Sequence, residues 1–212
     1  MCTACLAPPE PLHAEFFCRL CQTAFLNAFP LGADGVCTLC RSGLRGFDAA
    51  YCLGAYEGGF RKLIHLFKYS RMQALRKPLS QMLATALPRD AAFDAVTAVP
   101  LHWRRRYQRG FNQSELLAID VARRWGVPYV RAVRRQRATA NQAALTTSQR
   151  RDNVSGAFRM RRAAQVRGQR LLLVDDVMTT GATAHACAAV LRRAGARSVT
   201  LLTLARVDRR QA

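Results

Sequence analysis

An α/β fold with a mostly parallel sheet flanked by helices, preceded by a small cysteine-rich module, is predicted by the 212-residue sequence. Three observations carry that prediction. The run LLLVDDVMTTGAT, Leu171 to Thr183, joins an apolar stretch to a polar turn and then to a helical run, Ala184 to Arg193. A second apolar run, Phe93 to Pro100 (FDAVTAVP), leads through a basic segment into another helical pattern. Three Cys-x-x-Cys pairs lie within the first forty residues. Strands that alternate with helices are the pattern of a parallel sheet.

The pairs are Cys2/Cys5, Cys18/Cys21 and Cys37/Cys40. No apolar signal segment follows the initial Met, so disulfides are disfavoured, and paired thiolates at this spacing read as knuckles for zinc. Zinc takes four tetrahedral ligands, so two knuckles complete one site. Fifteen residues separate Cys21 from Cys37, within the usual ribbon spacing, and twelve separate Cys5 from Cys18. Six thiols do not divide into two tetrads: one pair is spare, a partner pair has been lost, or translation starts further upstream. Few aliphatic residues lie in this segment, so the metal would be structural, standing in for a core. Cys52 and Cys187 have no partner at ligand spacing and read as small core residues.

From Tyr51 to Tyr56 the chain is strand-like. Leu63, Ile64, Phe67, then Leu75, Leu79, Met82 and Leu83 recur at helical spacing, with a break near Tyr69–Arg71, and predict two helices. After the strand at Phe93 to Pro100 comes HWRRRYQRGFNQSELLA, His102 to Ala118. Pro100, Leu101, His102, Arg109 and Gly110 are expected to form a loop able to hold a pyrophosphate, with Gly110 supplying backbone freedom. Leu116, Leu117, Val121 and Trp125 then mark a helix, with Asn112 or Ser114 near its cap. Val127 to Val133 reads as a strand, and the polar stretch that follows, to Arg162, is long enough to include a lid.

The four apolar residues Leu171 to Val174 suit a strand buried on both faces. Asp175 and Asp176 then sit at its carboxyl end, where open α/β sheets bind ligands. Thr179, Thr180, Gly181, Ala182 and Thr183 run straight into a helix, so hydroxyls and backbone N–H groups converge near the positive end of its dipole. That is a cradle sized for a phosphate. Ionised carboxylates only accept hydrogen bonds, so the Asp pair suits vicinal sugar hydroxyls, or a hydrated divalent ion beside them. Gly195 is placed to end the helix, and Ser198 to Leu204 supplies the next strand.

The net charge of +20 is uneven: −2 over residues 1–60 and +22 over residues 61–212. The larger part therefore suits polyanions. Thirty of the 33 basic residues are Arg, the lysines being Lys62, Lys68 and Lys77. No stretch approaches the roughly 18 apolar residues of a membrane span, so no membrane insertion and a cytoplasmic location are expected.

The string Leu171 to Thr183 resembles the 5-phosphoribosyl-1-diphosphate (PRPP) signature of type I phosphoribosyltransferases. The order of knuckles, YEGGFRKLIHLFKYS (Tyr56 to Ser70), VPLHWRRRYQRGFNQSELLA (Val99 to Ala118), a segment with Gln142, Arg151, Asn153, Gly156 and Phe158, and LLLVDDVMTTGAT resembles the ComF family over essentially the whole chain. Many members carry four knuckles, and this chain has three. The resemblance implies a zinc-ribbon module over residues 1–48 and a type I phosphoribosyltransferase-like domain over 49–212, in a cytoplasmic protein linked to natural transformation and the use of external DNA. It implies PRPP as ligand, with Asp175 and Asp176 as catalytic residues at the ribose, Thr179 to Thr183 at the 5′-phosphate, and Mg with the PRPP.

Two functions then compete. In one, the chain transfers the phosphoribosyl group to a nucleobase or amine, with pyrophosphate leaving and an Arg of the lid receiving it. In the other, the site binds ligand without turnover while a basic face, Arg104, Arg105, Arg106, Arg150 and Arg151, contacts single-stranded DNA, with a competence helicase or DNA-processing protein as a further partner. Trp103, Tyr107 or Phe111 would stack on bases. A transcriptional regulator would need a separate duplex-reading helical domain, and no segment supplies one.

Overall fold

The computed structural model describes residues 9, 14–25, 27–43, 46–70, 72–136, 156–161 and 163–207. Cys2, Cys5, Gln142, Arg150, Arg151 and Asn153 lie outside them.

The cysteine segment folds into a two-strand hairpin, β1 (Phe16–Phe17) and β2 (Ala24–Phe25), and a single helical turn, α1 (Thr38–Arg41). Strand β3 (Ala49–Ala55) follows, then α2 (Gly58–Tyr69), which buries Phe60, Leu63, Ile64 and Phe67 along one stripe. A 3₁₀ turn at Gln73–Leu75 leads into α3 (Arg76–Ala84). Pro78 is tolerated there because the first turn of a helix has no partner for its missing N–H. Strand β4 (Ala95–Ala98) comes next, then α4 (Trp103–Arg109) and α5 (Gln113–Trp125). A hairpin of β5 (Val133–Arg135) and β6 (Phe158–Met160) brackets residues 136–157. The chain closes with β7 (Arg170–Met178), α6 (Ala182–Arg193) and β8 (Ser198–Arg206).

The main sheet has the order β3-β8-β7-β4, every pair parallel. Carboxylates staple its amino-terminal edge: Asp48 accepts from Val199 N at 2.8 Å, and Asp94 from Arg170 N at 2.7 Å. Leu171 to Val174 are at most 1% exposed, as expected for a strand covered twice. Leu171 and Leu173 belong to a core shared with Cys187, Leu191 and the cysteine module, whereas Leu172 and Val174 join one with Phe67, Leu79 and Leu117.

Two local expectations are corrected. The basic segment after Pro100 is not a loop throughout but becomes α4 from Trp103. Nothing in Trp103–Arg109 breaks a helix, His102 caps it, and Gly110, at φ 81, ends it in a left-handed turn. Val127 to Val133 is not one strand either. Tyr129 bridges Val96 in parallel at the sheet edge, and Val133 turns away to pair with Met160.

The cysteine module lies directly on α6. A Cβ on Gly46 would stand 2.2 Å from the carbonyl oxygen of His185 and 2.9 Å from Ala189 N, both backbone atoms that cannot move aside cheaply. Gly46→Ala is therefore expected to cost roughly 1–3 kcal/mol, as overpacking does, read as a lower urea midpoint at unchanged slope.

Candidate functional site

Strand β4 stops at Ala98, opposite Val174, while β7 runs on to Met178 beside β8. This step in the sheet opens a cleft of about 480 Å³ on the β4 side, with Asp175 and Asp176 in its wall. Lys68 and Tyr69 from the end of α2, Arg105 and Arg109 from α4, Ser114 from α5 and Arg135 from β5 face them across it. Ser114 Oγ donates to Asp175 Oδ1 at 2.9 Å, and Lys68 Nζ reaches Asp176 Oδ1 at 2.9 Å. The backbone also holds the pair: Asp176 N donates to Asp175 Oδ1 at 2.9 Å, and Val177 N to Asp176 Oδ1 at 2.6 Å.

Four cations against two carboxylates leave the cleft net positive, which suits a ligand with several phosphates. Burial, and then the neighbouring Asp176 charge, push the Asp175 carboxyl up to about 7. The two aspartates raise Lys68 above its usual range against the opposing effect of burial. Between the unfolded value of 3.8 and about 7 the folded protein keeps a proton that the unfolded chain has lost, so this group's contribution to stability falls as pH rises through that window. Asp175→Asn is accordingly expected to melt higher than the parent at pH 8.5 by roughly 2–4 °C, the shift about 1 kcal/mol produces in a chain of this size. At pH 5, where the parent is already neutral at this position, calorimetry should find little difference.

Opposite the carboxylates, Gly181 adopts φ 85 as the cap of the twelve-residue α6, and Ala182, Thr183 and Ala184 carry its first turn into the cleft. The first turn holds no acidic side chain, so the positive end of the dipole meets the cleft unopposed. Thr179, Gly181, Ala182 and Thr183 line the cleft, and Thr180 is not in the lining, its Oγ1 accepting from Ala182 N at 3.4 Å.

Of the residues expected after β4, Pro100, Leu101, Arg105 and Arg109 line the cleft. Arg109 is held in place, its Nη2 donating to Tyr69 Oη at 3.1 Å and its guanidinium lying 4.7 Å above the Tyr69 ring. His102 and Gly110 are not in the lining. His102 is buried, and its Nδ1 accepts from Arg104 N at 3.4 Å. Burial and then Arg135, Arg104 and Arg105 hold its imidazole below the usual range. Arg104 stacks over Trp103, and Arg106 turns to Glu115 at 3.5 Å. Phe111 is unavailable for base stacking, since it is buried with its ring 5.9 Å from that of Phe67, whereas Trp103 and Tyr107 are exposed.

Lys68, Ser114 and Arg135 are the site residues that sequence reasoning missed. Lys68 had a signal: it is one of three lysines in a chain with thirty arginines.

Cys18, Cys21, Cys37 and Cys40 are all buried, with their sulfurs within 4.8 Å of one another, so this quartet could hold a metal ion. Sulfurs of a zinc tetrahedron with bonds of about 2.3 Å stand roughly 3.8 Å apart, and Cys21 Sγ lies 3.9 Å from Cys37 Sγ. The knuckle geometry fits as well. Cys37 N donates to Cys18 Sγ at 3.3 Å, and Gln22, just after the first pair, turns left-handed at φ 50. The hydrogen bond with Cys37 draws the Cys21 thiol down to about 3 and pushes Cys37 upward, while burial lifts Cys40 to about 12.

A strand that ends in two carboxylates, turns through Gly181 and enters a helix pointing into a cationic cleft defines a phosphoribosyl transferase domain, and the family of that description matches residues 112–212. The chain belongs to the ComF family, which includes DNA utilization protein YhgH and Competence protein F. It is 38% identical over 161 residues to YhgH of Escherichia coli K12, covering 71% of this chain and 69% of that protein. It is 31% identical over 169 residues to Competence protein F of Haemophilus influenzae, covering 76% and 73%. Among solved structures, the glutamine PRPP amidotransferase of B. subtilis is a distant likeness, with a TM-score of 0.42 and 26% identity over 59% of this chain and 25% of that one.

Proposed function

We propose that the cleft binds PRPP and that the protein acts in the uptake or use of external DNA, a reading supported by relatives named for DNA utilization and for competence. The observation that carries the reading is the pairing of Asp175 and Asp176 with the α6 amino terminus across one cationic cleft. Asp175 and Asp176 accept hydrogen bonds from the 2′- and 3′-hydroxyls and set negative charge beside the anomeric carbon. The turn Thr179 to Thr183 holds the 5′-phosphate. Pro100 and Leu101, with Arg105 and Arg109, receive the diphosphate. Asp175 and Asp176 are the carboxylates of the cleft that would hold magnesium, which would supply neutralisation of the diphosphate charge.

In the same reading residues 1–48 form a structural zinc module on Cys18, Cys21, Cys37 and Cys40, residues 49–212 form the transferase-like domain, and the protein is cytoplasmic. Among the described residues no helix is long and apolar enough to cross a membrane. Single-stranded DNA is the proposed polymer partner, along Arg104, Arg105 and Arg106 with the exposed rings of Trp103 and Tyr107. A competence helicase or DNA-processing protein would act beside it. Binding of a labelled oligonucleotide that weakens steeply with salt, and is lost on Trp103→Ala with Tyr107→Ala, is the expected result. Unchanged binding in that variant would place the DNA elsewhere.

The decisive experiment incubates the protein with Mg–PRPP and a panel of nucleobases while calorimetry measures binding and a coupled assay measures diphosphate. Binding without diphosphate release supports a ligand-responsive DNA-handling protein. Release with one base would establish the alternative, an active phosphoribosyltransferase. No binding would refute both.

A further inference from the structure

The amino end of α5 buries a run of polar side chains, Asn112, Gln113, Ser114 and Glu115. Burying polar groups is costly unless they find partners, and three of these residues find theirs around the cleft. Asn112 Nδ2 donates to Val99 O at 3.1 Å, just ahead of Pro100 and Leu101, and Ser114 Oγ holds Asp175. Between them Gln113, 0% exposed, bridges two groups with opposite needs. Its Nε2 donates to Lys68 O at 3.2 Å, one of the last carbonyls of α2, which lack a donor within their own helix. Its Oε1 accepts from Arg109 Nη1 at 3.3 Å. A carbonyl can only accept and a guanidinium can only donate, so the side chain joining them must offer a donor and an acceptor side by side, as an amide does. Met would fill the space and make neither bond, and Glu would meet Lys68 O with a second acceptor. Gln113 is not in the cleft lining, so it acts on a ligand only through the groups it holds.

We infer that Gln113 is a positioning residue that aims the Arg109 guanidinium at the diphosphate of the ligand. Gln113 takes Nη1, Tyr69 Oη takes Nη2 at 3.1 Å, and the Tyr69 ring lies 4.7 Å below the guanidinium carbon. The planar fork is therefore fixed from α2 and from α5 before any ligand arrives, and the ligand does not have to order a long, flexible side chain on binding. Each Nη carries two N–H groups and uses one on these partners, which leaves one on each for phosphate oxygens. The same amide ties Arg109 to the backbone of Lys68, whose ammonium holds Asp176, so the diphosphate and ribose ends of the cleft share one buried anchor. The inference rests on the reading of the cleft as a PRPP site.

The test measures, by calorimetry on the full chain, the affinities for Mg–PRPP and for ribose 5-phosphate, which has no diphosphate to meet Arg109. Gln113→Met is expected to weaken Mg–PRPP roughly 10-fold, the effect of losing one hydrogen bond to a charged group, and to leave ribose 5-phosphate close to the parent. That split between the two ligands is one a merely structural role would not produce. In the Arg109→Ala background Gln113→Met should cost nothing further, because a guanidinium that is gone cannot be aimed. Should Gln113→Met fail to fold, Gln113→Glu carries the test: its carboxylate draws Arg109 back from the diphosphate, so Mg–PRPP weakens and ribose 5-phosphate again stays near the parent. Unchanged Mg–PRPP affinity in the folded variant, equal losses for both ligands, or losses that multiply in the double variant overturn the inference and leave the PRPP reading standing. Absence of Mg–PRPP binding in the parent overturns both.

Discussion

Replacing Asp175 and Asp176 together by Asn is expected to weaken Mg–PRPP binding by at least about 100-fold while leaving fold and zinc content intact. Each carboxylate offers acceptor oxygens to a sugar hydroxyl, and hydrogen bonds to a charged group contribute about 1.5–3 kcal/mol; losing two such partners amounts to roughly two to four decades in affinity. The fold should survive because the pair faces the cleft, and because the carboxylates' native bonds to Asp176 N, Val177 N and Ser114 Oγ can all be accepted by an amide oxygen. Lys68 supplies an internal control. Without Asp176 beside it the ammonium is released toward the cleft, so inorganic phosphate should bind the double variant as well as the parent or better. Unchanged PRPP affinity in calorimetry would show that the carboxylates do not touch the sugar.

The second large effect is expected from metal removal. Besides the cysteines, only Phe25, Leu39 and Phe47 are buried apolar residues in the described part of the module, far too small a core to order some thirty residues. A tetrathiolate site should therefore supply most of that segment's folding energy; in isolated zinc-finger peptides the contribution is about 10–16 kcal/mol. Chelation is expected to release one zinc per chain and to remove hydrogen-exchange protection from residues 14–43, while the strands at Leu171–Val174 and Val199–Leu202 keep theirs. Elemental analysis that finds none, or two, would refute the single quartet.

The strand, the acidic pair, the turn and the helix from Leu171 to Arg193 were legible because one continuous segment makes that whole unit, and local spacing reports local structure. The knuckles were legible for the same reason, since Cys-x-x-Cys spacing is local; among the described residues, which exclude Cys2 and Cys5, Cys18, Cys21, Cys37 and Cys40 are brought together. The opposite wall of the cleft was not legible. Ser114 meets Asp175 across 61 residues of sequence, and Lys68 reaches Asp176 from the end of α2, whose buried stripe shares a core with Leu172 and Val174. No periodicity encodes such a meeting. The misread helix α4 has a different cause. Four arginines in seven residues suggested a phosphate loop by charge, whereas Arg is a good helix former and His102 and Gly110 bracket the segment with a cap at each end.

The early end of β4 has a bearing on how such proteins diverge. Beyond Ala98 the rim of the pocket is a turn that owes no ladder hydrogen bonds to β7 apart from Val99 N to Val174 O at 2.9 Å. Exchanges at positions 100 and 101, ahead of the buried cap His102, would reshape the mouth without disturbing the sheet, so descendants of one ancestor could take ligands of different bulk at little folding penalty.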